Sequence, residues 1–417
     1  MIDFPNRPLR RKGGLTAPIV LIILALTGCE AVLKQLPPAH VPQPAPEKPR
    51  LRLNTVEFSD LPRWKADNPG EALPVFLKSC EKLEKLPPDQ AIGPRKEYGT
   101  GRDWADLCQT ARLVRPGNDP EARYFFESRF QPYAVSNYLE RRGLITGYYE
   151  PVLNGSFTPG QRFSLPIYAR PEDLVSANLG EFDDKWSGEQ IAGRIVDGRF
   201  RPYWSRAEIE DGALKGQQLE ILWVDNAIDA FSLHIQGHGR VVLPDGSHIR
   251  IGYAGRNGRR YTAIGRELVA RGIMDLDDVT MPSIRSWLEA NPVAGTQVMR
   301  TNKSFIFFRV MDSESPIGAQ GVSLTPGRSL AIDRAHLPLG VPLWLVTTDP
   351  GPSPRKQPLT RLVVTQDTGS AIKGPVRGDL YWGHGPEAAL KAGLMKEDGQ
   401  FFILLPKNRA PAAGRSG

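Results

Sequence analysis

Between residues 145 and 405 the chain repeatedly sets short runs rich in Val, Ile, Tyr and Phe between clusters of Gly, Pro, Asn and Asp. The runs fall at 145–152, 199–203, 219–224, 230–236, 248–253, 304–310, 343–347, 361–365 and 401–405. Runs of this length, bounded by turn residues, fit pleated strands and leave no room for long helices. A helical bundle is therefore excluded, and a mainly β architecture of barrels or sandwiches with flanking helices is expected. Helices are predicted at 71–83, at 103–114 with Asp103 as N-cap, and from Asp119-Pro120 onward. Later ones are predicted at 261–271 before Gly272, 283–290 before Pro292 and 386–392 before Gly393. A chain of 417 residues has room for one to three sizeable cores.

The N-terminus has the makings of an address. Arg7, Arg10, Arg11 and Lys12 precede a 12-residue apolar run from Leu15 to Leu26, which is too short to span a bilayer core and fits a secretory h-region. The run ends in Leu26-Thr27-Gly28-Cys29, which resembles a bacterial lipobox with Cys29 as the lipidated residue. A multiply acylated cysteine would hold the mature chain on a membrane, and Glu30 after it favours the outer one. Residues 37–49 hold six prolines in thirteen positions, a semi-extended tether that reaches roughly 40 Å at about 3.1 Å per residue. The formal net charge is +7, and the first 28 residues supply +3 of it. No arginine cluster interleaved with aromatics accompanies the remainder, so nucleic-acid binding is not expected.

Cys80 follows Leu73, Phe76 and Leu77 at helical spacing, and Cys108 follows Trp104 and Leu107. Each faces inward on its own predicted helix in an exported chain, where oxidation is permitted. A Cys80–Cys108 bridge and two buried thiols are both compatible with this.

With 6 His and 3 Cys in the whole chain, the expected catalysts are carboxylates and no cofactor is called for. Asp333, Asp367 and Asp379 each follow an apolar run or a tight glycine turn. Asp333 and Asp367 fit turn caps as well as chemistry. Asp379, beside Tyr381 and Trp382, is placed to lose solvation and so to donate a proton near neutral pH. Asp367-Thr368-Gly369-Ser370 also has the form in which pepsin-like proteases present an aspartate. That chemistry needs two such carboxylates sharing a proton, and neither Pro244-Asp245-Gly246-Ser247 nor Ile332-Asp333-Arg334 supplies the second. His234 and His238 would share a strand face, with His248 nearby, but no thiolate or carboxylate completes a metal site. A polar groove containing Gln236 and His238, with Trp223, Tyr253, Tyr261 and Trp382 as aromatic platforms, suits a sugar polymer better.

Six blocks in order carry a family resemblance. They are Thr146-Gly147-Tyr148-Tyr149-Glu150-Pro151, Pro166-Ile167-Tyr168, Gln236-Gly237-His238-Gly239, Tyr253-Ala254-Gly255-Arg256-Asn257-Gly258, Ser304-Phe305-Ile306-Phe307-Phe308 and the eight residues 367–374. Across roughly residues 70–406 the chain resembles the membrane-bound lytic murein transglycosylase A family, and its end resembles the 3D domain, whose three aspartates correspond to Asp333, Asp367 and Asp379. The resemblance implies a double-psi β-barrel domain built from both ends of the chain, an inserted second β-rich domain, and a groove between them. The implied division is 1–28 signal peptide, 29–50 tether, 51–151 helical part and first barrel strands, 152–303 insertion, 304–408 rest of the barrel and 409–417 tail.

The same resemblance implies a peptidoglycan lytic exotransglycosylase with Asp379 as the single catalytic acid and Asp367 as its supporting neighbour. Thr146, Tyr148, Gln236, Gly237, His238, Tyr253, Asp333 and Trp382 would line the glycan groove, with His238 standing where relatives carry Ser. Its partners would be peptidoglycan strands, the outer membrane through the lipid anchor on its periplasmic face, and murein synthases or scaffold proteins. A non-catalytic murein-binding lipoprotein on the same scaffold is the alternative.

Overall fold

Strands from the two ends of the chain share one sheet. The computed structural model describes residues 49–407 except 187–189, 313–314, 352–354 and 370, so the signal segment, Cys29, most of the tether, Ser370 and the tail lie outside the described residues. From the N-terminal side come β1 (Leu51–Thr55), β2 (Phe130–Asn137) and β3 (Gly143–Glu150). The C-terminal side adds β13 (Ser329–Ile332), β14 (Pro342–Thr348), β15 (Pro358–Asp367), β16 (Gly378–His384) and β17 (Lys396–Pro406). They lie in the order β1-β2-β17-β14-β15-β13-β16-β3, and β17 also pairs with β3 through Lys396–Gly399. The run from β17 round to β3 thereby closes on itself. β13 is buried at all four positions and β14 at its first four, as expected of strands covered on both faces.

Three helices cover this sheet: α1 (Pro69–Leu83), α2 (Gly101–Ala111) and α3 (Asp119–Arg129). Phe76 of α1 meets Trp104, Phe125, Phe126 and Phe130 with ring centroids 5.9–6.3 Å apart. Such aromatic pairs add about 0.5–1.5 kcal/mol each beyond burial. Cys80 and Cys108 are joined by a disulfide between α1 and α2. The helix starts differ from expectation by one cap each. Thr100 caps α2, and Asp103, expected as N-cap, sits three residues in as the acid of a capping box, accepting from the Thr100 N–H at 2.8 Å. Asn118 caps α3 by accepting from the Glu121 N–H at 3.1 Å. That leaves Asp119 to accept from the Gly70 N–H at 3.0 Å and tie α3 to the start of α1.

A second sheet has the order β12-β11-β10-β4-β9-β5. Its strands are β4 (Val152–Ser156), β5 (Leu165–Tyr168), β9 (Glu220–Val224), β10 (His238–Val242), β11 (His248–Arg256) and β12 (Ile306–Met311). Leu153, Ile167, Leu222, Val241, Ile251 and Phe308 form its core. A small third sheet holds β6 (Val175–Asn178), β7 (Gln190–Val196) and β8 (Arg199–Pro202).

The expected strand at 230–236 is instead helix α4 (Ala227–Gln236). Asn226 accepts from the Ile228 and Asp229 N–H groups at its start, and Gly237, at φ 75°, ends it in the left-handed conformation. Ile228, Phe231 and Ile235 then recur at spacings of three and four, the period that the run of apolar residues concealed. Further helices are α5 (Ile264–Ala270), α6 (Met281–Ala290), α7 (Pro292–Thr301) and α8 (Pro386–Leu394). Pro292, taken as a stop, also opens α7, because a first-turn proline gives up no helical hydrogen bond.

Candidate active site

Asp379 lies on β16 between two neighbours. In the parallel pairing with β3 it faces Thr146, and in the antiparallel pairing with β13 it faces Ala331. Ala331 is in turn opposite Asp367 on β15, just after a register shift. Two aspartates thus flank one buried alanine, their backbones roughly 10 Å apart at the usual 4.7–4.9 Å between strands.

The two carboxyls are held differently. Thr146 Oγ1 donates to Asp379 Oδ1 at 2.8 Å, and Oδ2 accepts from no donor among the described residues. Asp367 is taken up on both oxygens: Tyr148 donates its hydroxyl to Oδ2 at 2.9 Å, and the Ala319 and Thr368 N–H groups donate to Oδ1, each at 2.9 Å. Burial pushes the Asp379 carboxyl up to about 6, opposed by Arg377 and the Thr146 hydrogen bond and assisted by the Asp367 charge. Burial also raises Asp367, while its backbone and Tyr148 donors pull it back. Tyr148, with burial and the Asp367 charge against ionisation, remains a phenol.

Buried polar side chains fix the end of β15. Gln366 Nε2 donates to the Val75 carbonyl and to Ser79 Oγ, both at 2.9 Å, and Ser329 Oγ donates to Gln366 Oε1 at 2.6 Å. Thr365 Oγ1 donates to the Pro338 carbonyl at 2.8 Å. Of these two residues, which interrupt the apolar lead-in to Asp367, Gln366 locks that strand to α1 and β13 and Thr365 ties it to the segment before β14.

Other predicted site residues divide into those near the acid pair and those that serve the scaffold. Gln236, the last residue of α4, accepts at Oε1 from the Tyr149 N–H at 3.2 Å. Gly237 supplies the left-handed helix stop. His238 starts β10 and packs edge-on to Tyr148 and Tyr381, at 6.0 and 6.1 Å. Burial and Arg250 bring its imidazole down to about 4, so it is neutral. Tyr253, 51% exposed on β11, is an open aromatic surface.

Asp333 uses both oxygens on backbone N–H groups, those of Ala335 at 3.1 Å and Gly374 at 2.8 Å, and so clamps the loop before β16. Trp382 is on the other face of β16 from Asp379 and Tyr381, because side chains alternate along a strand. It lies against Gly147, whose added Cβ would come within 2.7 Å of the indole, and donates to Met395 Sδ at 3.3 Å. His234, on α4 rather than a strand, accepts at Nδ1 from the Ile306 N–H at 3.1 Å and stacks near Phe305. Its expected shared face with His238 does not exist. Among the described residues no group of His, Cys, Asp or Glu side chains is arranged to hold a metal ion.

Two contributors to the site carry little or no signal in the sequence. The Ala319 N–H is a backbone donor from a loop 48 residues away from Asp367, invisible to any motif. Arg377, two residues before Asp379, was legible as a nearby cation but not as one partly buried beside it.

Comparisons with known proteins agree with this arrangement. Residues 144–309 match the profile described as MltA specific insert domain, and residues 328–405 match the 3D domain. A membrane-bound lytic murein transglycosylase A from Vibrio cholerae is 33% identical over 267 residues, 63% of this chain and 65% of that relative. The crystal structure of a membrane-bound lytic murein transglycosylase from Agrobacterium tumefaciens is similar at a TM-score of 0.74 and 34% identity, over 85% of this chain and 98% of that one. The Escherichia coli MltA structure with bound chitohexaose aligns at a TM-score of 0.60 and 25% identity, over 86% of this chain and 93% of that one.

Proposed function

This chain belongs to the membrane-bound lytic murein transglycosylase A family, and from that premise we propose how it cleaves peptidoglycan: Asp379 is its single acid and base. It is a lytic transglycosylase acting on the bond between N-acetylmuramic acid and N-acetylglucosamine. The observation that carries the reading is the contrast between the two aspartates. Asp379 has a pKa of about 6 and an unengaged oxygen, whereas Asp367 has both oxygens occupied.

In its protonated form Asp379 gives its proton to the oxygen linking the two sugars as the C1–O bond breaks. The resulting carboxylate takes the proton of the muramoyl C-6 hydroxyl, whose oxygen bonds to the same sugar's C1. The product is a 1,6-anhydromuramoyl end, and no water enters because the nucleophile is already attached to the sugar. A hydrolase would need a second free carboxyl as base or nucleophile. Asp367, saturated by three donors, is poorly suited to that and serves by its charge, which raises the Asp379 pKa. Thr146 orients the acid, Tyr148 holds Asp367, and Gln236, Gly237, His238 and Tyr253 belong to the glycan-facing side. Asp333 and Trp382 are assigned to shaping the loop and backing the strand.

The closing of β17 on β3 supports a double-psi β-barrel for the first sheet, with the second β-rich domain inserted from residue 152 onward. The pairing of β12 with β11 supports carrying that insertion past residue 303 to Met311. Membrane association follows the relatives' names, and no helix among the described residues is long and apolar enough to cross a membrane. The lipobox sequence supports anchoring through Cys29 on the periplasmic face of the outer membrane, where murein synthases or scaffold proteins are the partners to seek.

The test is mass spectrometry of muropeptides released from sacculi by the purified protein. Anhydromuramoyl ends are expected; reducing muramoyl ends would make it a hydrolase and overturn the single-carboxyl mechanism.

A further inference from the structure

The acid pair leaves unused a cluster of basic side chains where β3 and β16 approach β10 and β11. Arg240 and Arg250 stand directly opposite each other in the antiparallel β10–β11 register, a like-charge pairing that costs stability unless anions are near. Arg250 is provided for: its Nη2 donates to Glu150 Oε2 at 2.8 Å, with Glu150 only 1% exposed. Arg240 is not. It is half-buried, makes no ion pair among the described residues, and its Nη1 lies 3.4 Å from His248 Nε2. Its Nε is shielded from solvent without an acceptor. His248 and His384 are exposed, and His384, on β16, occupies the register position opposite Glu150. Arg240, Arg250 and His248 all oppose protonation of the His384 imidazole, after burial itself.

We propose that Arg240, with His248 and His384 at its entrance, is a subsite for a carboxylate on the arm that leaves the sugar backbone of the substrate. This deepens the peptidoglycan reading and rests on it. A half-buried guanidinium with unsaturated donors matches a carboxylate in charge and in planar, two-pronged geometry. Leaving such a cation unpaired is costly, and a bound anion recovers part of that cost. The position also fits: His384 is five residues along β16 from Asp379, at most roughly 16 Å at about 3.3 Å per residue. A peptide stem extending from the muramoyl ring at about 3.3–3.6 Å per residue places the carboxylates of its fourth and fifth residues near that range.

The binding experiment uses Asp379→Asn protein, so that retention on sacculi is read without turnover. Three probes are compared: untreated sacculi, sacculi whose free carboxylates have been converted to primary amides, and strands stripped of peptides by an amidase, which leaves only the lactyl carboxylate. Adding Arg240→Gln should weaken retention on untreated sacculi about 10-fold more than on amidated ones, and His384→Gln should act in the same direction. Dependence on Arg240 that persists on stripped strands assigns the lactyl carboxylate; dependence lost there assigns the stem. Equal effects of Arg240→Gln on untreated and amidated sacculi, with thermal stability unchanged, would overturn the subsite, as would no effect on either. Absence of anhydromuramoyl products from the wild-type protein would instead count against the catalytic reading and leave the retention contrast standing.

Discussion

Asp367 and Asp379 face each other across Ala331, one on each neighbouring strand, and this places a fully engaged carboxylate beside one with a free oxygen. Burial pushes both toward the neutral form, and the Asp367 charge adds to the push on Asp379; Asp367 has three donors to restore its charge, Asp379 only Thr146. Because the two interact, the proton that leaves near pH 6 belongs to the pair in which Asp379 carries most of it.

The first expectation is chemical. Asp379→Asn retains the Thr146 hydrogen bond through its amide oxygen but can neither give nor take the proton. Acid–base help is worth about 100- to 10,000-fold, and one group serves both halves of the reaction, so the loss should reach the upper part of that range. The yield of 1,6-anhydromuropeptides, beside circular dichroism and sacculus pull-down, measures it; wild-type yield would remove Asp379 from the mechanism.

The same substitution has a stability signature with a definite sign. The folded pKa of about 6 lies above the ordinary aspartate value of 3.8, so the native state binds more protons than the unfolded one between those values. The contribution of Asp379 to stability is present below pH 3.8 and is lost as pH rises through 6. Asparagine does not suffer that loss, so Asp379→Asn should be more stable than wild type at pH 7 by on the order of 2–3 kcal/mol. The gap in Tm should close as the pH is lowered toward 4. A gap independent of pH would mean that the carboxyl is not buried as described.

Asp367→Asn removes a charge that raises the Asp379 pKa. The alkaline limb of kcat/KM, set by loss of the acid's proton near pH 6, should move to lower pH. Turnover at neutral pH should fall by less than the roughly 100-fold that marks the low end of direct acid–base catalysis. A profile superimposable on wild type would refute the supporting role.

The disulfide closes a loop of 28 residues between α1 and α2. In the chain-entropy model a loop of that size contributes about 3–4 kcal/mol. Replacing Cys80 and Cys108 together by Ser should lower the urea midpoint accordingly, and reduction should do the same to wild type but not to the double variant. Alkylation of both cysteines in denatured, unreduced protein would show that they are free.

Attachment is tested separately from catalysis. Cys29→Ala should abolish incorporation of labelled palmitate and release the protein from membranes while leaving activity on sacculi intact. Continued labelling would rule out lipidation at Cys29.

What the sequence determined alone was local. Strand-length apolar runs between turn residues gave a mainly β chain, helical spacing gave the inward phases of Cys80 and Cys108, and six ordered blocks pointed to the family and to Asp379. Each of these depends on residues within a turn or a strand of one another, where period and steric preference act directly. Tertiary structure decided what depends on distant partners. Thr146 reaches Asp379 across 233 positions, and Asp333 spends its oxygens on a loop 41 residues away. Alternation along β16 sends Trp382 to the face opposite Asp379 once β3 and α8 fix which face is which, and Asn226 with Gly237 turns an apparent strand into α4. The Asp379 pKa is the clearest case, because desolvation sums over every group that excludes water from a carboxyl, and no run of sequence contains that sum.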